Sequence, residues 1–188
     1  MSDGPHRSLP MRRGWKRVAE CADNQVFERE EVGDAIIRAL EKDWKEEVSP
    51  EFMSNLWRVC SDQEGCLFKD DVRPRLEALR GTAGCGIGRI VLDLAIERCP
   101  SGTAGLDFRL KTITDALTDR MARCARQVEE HYCRKSTEPH ANRVRERIEQ
   151  ATDRAAMEGL ARRILKPEPA RLDHPPLKRE GLDDGVRL

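Results

Sequence analysis

The chain is short of aromatic residues, with three tryptophans, one tyrosine and four phenylalanines among 188 positions. Its core must therefore be built from Leu, Ile, Val, Ala, Met and Cys. Sheets collect aromatic and β-branched residues, so this shortage argues for helices. No apolar run approaches the ~20 residues that cross a bilayer, and a membrane partner is not expected. The opening "MSDGPHRSLPMRRGWKR" has no apolar stretch behind its basic residues. It does not read as a secretory signal, and a cytoplasmic location is the expectation. Seven cysteines is an odd number. Without a secretion signal they predict buried thiols and no disulfide framework. Catalytic signatures are missing too: there is no G-x-S-x-G and no H-E-x-x-H, and only His6, His131, His140 and His174 exist. An enzyme is not expected.

Net charge is zero, with 34 basic and 34 acidic side chains. It is spread unevenly. Residues 1–80 carry 14 basic and 17 acidic groups, whereas residues 109–165 carry 13 basic and 9 acidic. This excess is far below that of a chain living on nucleic acid, where phosphate neutralisation dominates affinity. Arginine outnumbers lysine 26 to 8, a codon bias that points to a GC-rich, bacterial gene and says nothing of function.

Helical periodicity fills the middle of the chain. The pattern predicts about seven helices in one all-α domain over 12–166, made of a helix–loop–helix pair (12–81) and a second half (86–166). Residues 1–11 read as a flexible lead and 167–188, with four prolines, as a disordered tail. Ser49, Pro50 and Glu51 form a strong helix start. The stretch after "RKSTEP" reads as one long helix reaching Lys166, with Val144, Ile148, Ala151, Ala155 and Leu160 inward. Three segments align around Phe27, Phe68 and Phe108, spaced about 40 residues apart. Val32, Ile36 and Leu40 share their offsets with Ile113, Leu117 and Met121. Three helix–loop–helix units are one reading of this series; unrelated amphipathic helices in register are the other.

Four groups of residues are candidate sites. The loop "CSDQEGCLFKDD" puts Gly65 at the sixth position of a twelve-residue calcium loop. Cys60, Asp62, Glu64, Cys66, Phe68 and Asp71 then take the ligand positions, and Leu67 the apolar eighth. Over this loop and its flanking helices the chain resembles the EF-hand family. It departs from that pattern in a thiol at position 1, a phenylalanine at 9 and an aspartate at 12. Those departures favour a connecting loop over a calcium site. Cys124, His131, Cys133 and His140 supply four soft ligands of the kinds that hold zinc, set against buried thiols and surface imidazoles, since no C-x2-C accompanies them. The glycines Gly81, Gly84, Gly86 and Gly88 precede a helix, where amides can hold phosphate, but no P-loop lysine follows. An interhelical turn is the simpler reading. Arg120, Arg123, Arg126, Arg134, Arg143 and Arg147 could line a basic strip for nucleic acid; interleaved Glu129, Glu130, Glu146 and Glu149 favour a solvated, ion-paired face. These readings point to a small helical module that binds another protein, as an adaptor, regulator or inhibitor. A nucleic-acid-binding regulator and a metal-binding protein are the alternatives, and self-association is compatible with the charge asymmetry.

Overall fold

The computed structural model describes residues 11–61, 72–98 and 105–166, and among these there are eight α-helices and no strand. They are α1 (Arg13–Asp23), α2 (Arg29–Glu47), α3 (Pro50–Ser61), α4 (Val72–Ala78, continued by a 3-10 turn at Leu79–Gly81), α5 (Ile87–Arg98), α6 (Leu106–Cys133), α7 (Glu138–Ala151) and α8 (Arg154–Leu165). The expected ends beyond this range, and residues 62–71 of the calcium-like loop, lie outside the described residues. Cys60, the first position of that loop, is a buried core thiol on α3.

The 28-residue α6 is the spine. At 1.5 Å per residue it is about 42 Å long, long enough to carry α5, α7 and α8 along its length and to touch α1 and α2. Its buried stripe runs through Ile113, Ala116, Leu117, Met121, Cys124 and Val128, which is helical spacing over four turns. The stripe of α2 is Val32, Ile36, Ala39, Leu40 and then Asp43. The apolar face of α2 thus ends on a buried carboxylate. α1 folds back on α2 through a five-residue connection and crosses it closely at Gly14, where an added Cβ would lie 3.3 Å from the Ala39 Cβ. The Ser49 start signal holds, since its hydroxyl accepts the Phe52 N–H at 3.1 Å. Trp57 of α3 meets Phe108 of α6 edge-on, with ring centroids 6.4 Å apart.

The long C-terminal helix expected from the sequence is divided. Thr152 is extended (φ −127°, ψ 141°), and the Asp153 carboxylate caps the next helix by accepting the Ala156 N–H at 2.8 Å. An aspartate that can bond its own backbone competes with helix continuation. The break shifts the phase of the stripe, so Met157, Leu160 and Ala161 turn inward while Ala155 is exposed. It also lets α7 end against α2, where a Cβ on Gly33 would lie 2.7 Å from the Ala151 carbonyl oxygen.

Candidate functional site

The densest polar chemistry lies inside the bundle, where α1, α2, α5 and α6 converge. Asp43 is 2% exposed and Glu47, one turn on, has a side chain 6% exposed. Asp43 Oδ2 accepts Trp15 Nε1 at 2.9 Å, Arg120 Nη2 at 3.1 Å and Arg120 Nε at 3.3 Å. Its Oδ1 faces Arg12 Nη1 at 3.3 Å. Glu47 Oε1 takes Arg120 Nη2 at 3.1 Å and Arg12 Nη1 at 2.9 Å. Its Oε2 accepts the Ile87 N–H at 2.9 Å, satisfying a free amide at the start of α5. Gly86 makes this approach possible: its φ is +115°, and a Cβ there would stand 2.0 Å from Glu47 Oε2. Two carboxylates and two guanidiniums are thus neutralised together, and every carboxylate oxygen has a donor. Burial pushes the adjacent Cys124 thiol up to about 12, against the opposing pull of the Arg120 charge.

That arrangement is suited to holding helices and poorly suited to turnover. A general acid or base needs to face the proton it moves, and clefts along α1, α2 and α7 do not reach these carboxylates. A nucleophile needs its thiolate, which Cys124 is denied. None of Trp15, Asp43 or Glu47 stood out as a site in the sequence, yet a signal for them existed. Asp43 and Glu47 continue the inward stripe of α2 past Leu40, and Arg120 interrupts that of α6 between Leu117 and Cys124. Complementary charges on two inward stripes mark a buried ion pair.

The structure also disperses the proposed basic strip. Arg120 is the buried partner of Asp43 and Glu47. Arg147 donates to three carbonyls of the α1–α2 connection, Ala22 and Phe27 at 2.7 Å and Asn24 at 3.0 Å. Arg123 pairs with Asp119 at 2.8 Å and Arg145 with Glu129 at 2.8 Å. Arg126, Arg134 and Arg143 remain on the exposed surface. Arg98 and Arg154 both hold Asp115, the latter at 2.9 Å. Burial alone would raise that carboxyl, but the hydrogen bonds and charges of the two guanidiniums outweigh it and hold it below its ordinary 3.8.

The four candidate zinc ligands are not brought together. Cys124 is buried beside Arg120, whereas His131 and Cys133 are exposed at the end of α6. His131 stands edge-on to Tyr132, 5.9 Å between centroids; slight burial, then the charges of Lys135, Arg134 and Lys16, lower its pKa. His140 turns away to Asp23, with Nε2 2.8 Å from Oδ1. Among the described residues no three His, Cys, Asp or Glu side chains are arranged to hold a metal ion. Gly81, Gly84 and Gly86 precede α5 whereas Gly88 lies within it, and the free amide at the helix start, that of Ile87, is taken by Glu47. The openings lined by described residues are shallow. One of about 400 Å³ runs between α1 and α2 over Gly14, Cys21, Ala35 and Ala39, with Phe27 at one end.

Compared with protein-family models, curated proteins and solved structures, the chain matches none. Function is argued from this geometry alone.

Proposed function

We propose that this chain is a helical protein-interaction module, an adaptor, regulator or inhibitor that works by binding and not by turnover. The observation that carries the reading is the outer end of the α1–α2 hairpin. There Val26 is 82% exposed, the largest such exposure among the described apolar side chains. Beside it Phe27 opens into the groove between the two helices, with Arg17 held over its ring at 5.4 Å. Arg147 fixes this connection from beneath through its three carbonyl contacts. A rigidly held apolar projection costs little entropy when a partner covers it. Aromatic and arginine side chains are where binding energy concentrates, and half-buried Phe27 with Arg17 over its ring supplies both beside Val26.

Nucleic acid is supported less, because three of the six candidate arginines, Arg120, Arg123 and Arg147, are committed to acids and carbonyls of the same chain. No mobility shift of generic DNA or RNA is expected at low salt. The direct test is affinity capture from the native host with the full chain as bait, against Val26→Asp and Phe27→Ala baits. A captured protein whose recovery falls at least ~10-fold with both substitutions supports the reading. The same proteins recovered by all three baits would refute it.

A further inference from the structure

The outward stripe of α2 is charged in an unusual order. Glu31, Asp34, Ala35, Arg38 and Lys42 follow one another along the face that forms one wall of the α1–α2 groove. Both acids precede both bases. Solvated helix faces usually intersperse signs at i,i+4, where opposite charges help and like charges repel. The flank of α2 does so, with Glu41–Lys45 at 3.6 Å and Lys42–Glu46 at 3.7 Å. Along the stripe Asp34 and Arg38 are opposite charges one turn apart, but Glu31 and Asp34 before them, and Arg38 and Lys42 after, are like-charged neighbours. Among the described residues neither Asp34 nor Arg38 has an ion-pair partner, although both are exposed. Arg12, Arg17, Arg73, Arg80, Arg89, Arg123 and Arg162 each reach an acid of the same chain, whereas exposed Arg13, Arg29, Arg126, Arg143 and Arg163 share with Arg38 the lack of an ion-pair partner among the described residues.

We propose that this face docks on a second copy of the chain, with the two α2 helices antiparallel about a twofold axis near Ala35–Arg38. The order of charges is its own complement under that operation. Glu31 falls opposite Lys42 of the other copy, and Asp34 opposite Arg38. A twofold contact makes each pair twice, giving four ion pairs from four residue types. Between them lies Ala35, small enough to let the helices approach, while Ala39 is packed beneath it against Gly14 of α1. Glu31 already accepts the Glu28 N–H at 2.9 Å through one oxygen, which leaves the other for the partner lysine. Lys42 is free to turn, since its exposed pair with Glu46 is weak. The twelve residues from Glu31 to Lys42 span about 16 Å, well short of a standard interface. The association is therefore weak, salt-sensitive and reversible, with a dissociation constant in the range of tens to hundreds of micromolar. This deepens the interaction reading given above by naming one partner; it uses the charged wall of the α1–α2 groove, whose end Phe27 also lines, and not the Val26 projection.

The test is sedimentation equilibrium of the full chain from about 10 µM to 1 mM at low and high salt. Two variants accompany it. One carries Glu31→Gln and Asp34→Lys, the glutamine keeping the helix cap; the other carries Arg38→Glu and Lys42→Glu. The native chain should dimerise at low salt, at least ~10-fold more weakly at 0.5 M salt. Each variant alone should be monomeric with an unchanged circular dichroism spectrum, and an equimolar mixture should form the heterodimer. A native chain that stays monomeric at 1 mM and low salt overturns the proposal. So does a dimer that both variants retain, which would place the contact elsewhere. A monomeric chain whose captured protein is lost with these α2 variants would assign the face to a different partner. The self-pairing then fails while the interaction reading stands; loss of the Val26-dependent partner with a dimer intact is the opposite outcome.

Discussion

Replacing Arg120 by alanine removes the one cation that is itself buried in the α1–α2–α5–α6 network. Its side chain is 16% exposed, against 3% for Asp43 and 6% for Glu47. Removing one member of a buried pair costs about 3–5 kcal/mol, because the remaining charge keeps its desolvation penalty. Here the loss is cushioned. Arg12 still reaches both carboxylates, Trp15 still donates to Asp43, and the Ile87 N–H still donates to Glu47. We expect about 3 kcal/mol, at the low end of that range, which for a chain of this size is a fall in Tm of roughly 6–12 °C. Arg12→Ala is the internal control. That side chain is 45% exposed, and exposed pairs contribute about 1 kcal/mol or less. Thermal and urea unfolding followed by circular dichroism measures both. The double variant Arg120→Met with Asp43→Asn, whose amide oxygen still accepts Trp15, should cost less than the sum of its singles by at least about 1 kcal/mol. Arg120→Ala within about 0.5 kcal/mol of the native chain, or a strictly additive double variant, would show that the network holds nothing together.

Three further outcomes follow from the same geometry. The Asp115 carboxyl sits below its ordinary value in the folded chain, so its contribution is present above pH 3.8 and is lost as pH falls through the lower folded value. The Tm deficit of Asp115→Asn should therefore shrink on acidification from about pH 5 to about pH 2, and a deficit constant across that range would refute the account. Gly86→Ala must give up either its positive φ or the Glu47 contact; a loss of at least about 2 kcal/mol is expected by urea titration, and a neutral result would count against the Glu47 cap. With Cys66 and Cys99 changed to serine, a thiol reagent at pH 8 should label exposed Cys85 and Cys133 promptly. Buried Cys21, Cys60 and Cys124 should react only as fast as the chain unfolds, Cys124 last protected by a thiol pushed up to about 12; prompt labelling of Cys124 would contradict its burial.

Apolar periodicity made the fold legible because every long helix here has a continuous inward stripe. Val32, Ile36 and Leu40, and Ile113, Leu117 and Met121, are all buried as their spacing required. What periodicity could not show was the break at Thr152. One aspartate cap resets a helix without interrupting its composition, and Ala155 looked as apolar as Ala151. The candidate sites were less legible for a related reason. Cysteine, histidine and arginine were weighed by type and spacing along the chain, whereas their roles depend on which stripe each occupies. Cys124 is buried on the inward stripe of α6, whereas His131, two turns on along the same face, is exposed at the helix end, and about 10 Å of helix axis keeps them apart. Asp43 and Arg120 are 77 residues apart and meet because both interrupt inward stripes.

The scarcity of aromatic residues and the abundance of arginine have a common structural consequence. Large rings fix how helices sit on one another through shape; a core of Ala, Val, Leu and Ile offers less directional packing. This chain supplies direction with guanidinium groups, whose planar fork binds several acceptors in fixed geometry. Arg120 ties α6 to α2, Arg147 ties α7 to the α1–α2 connection, and Arg98 with Arg154 ties α5 and α8 to Asp115 on α6. The Arg120 and Arg147 clamps join elements far apart in sequence, and each consumes a cation that composition alone would assign to an anionic ligand. Of the 13 basic residues of 109–165 these two are directed at carboxylates and carbonyls of the first hairpin. Asp34 and Arg38 on α2 are among the exposed charges that no such clamp takes up, one turn apart and of opposite sign.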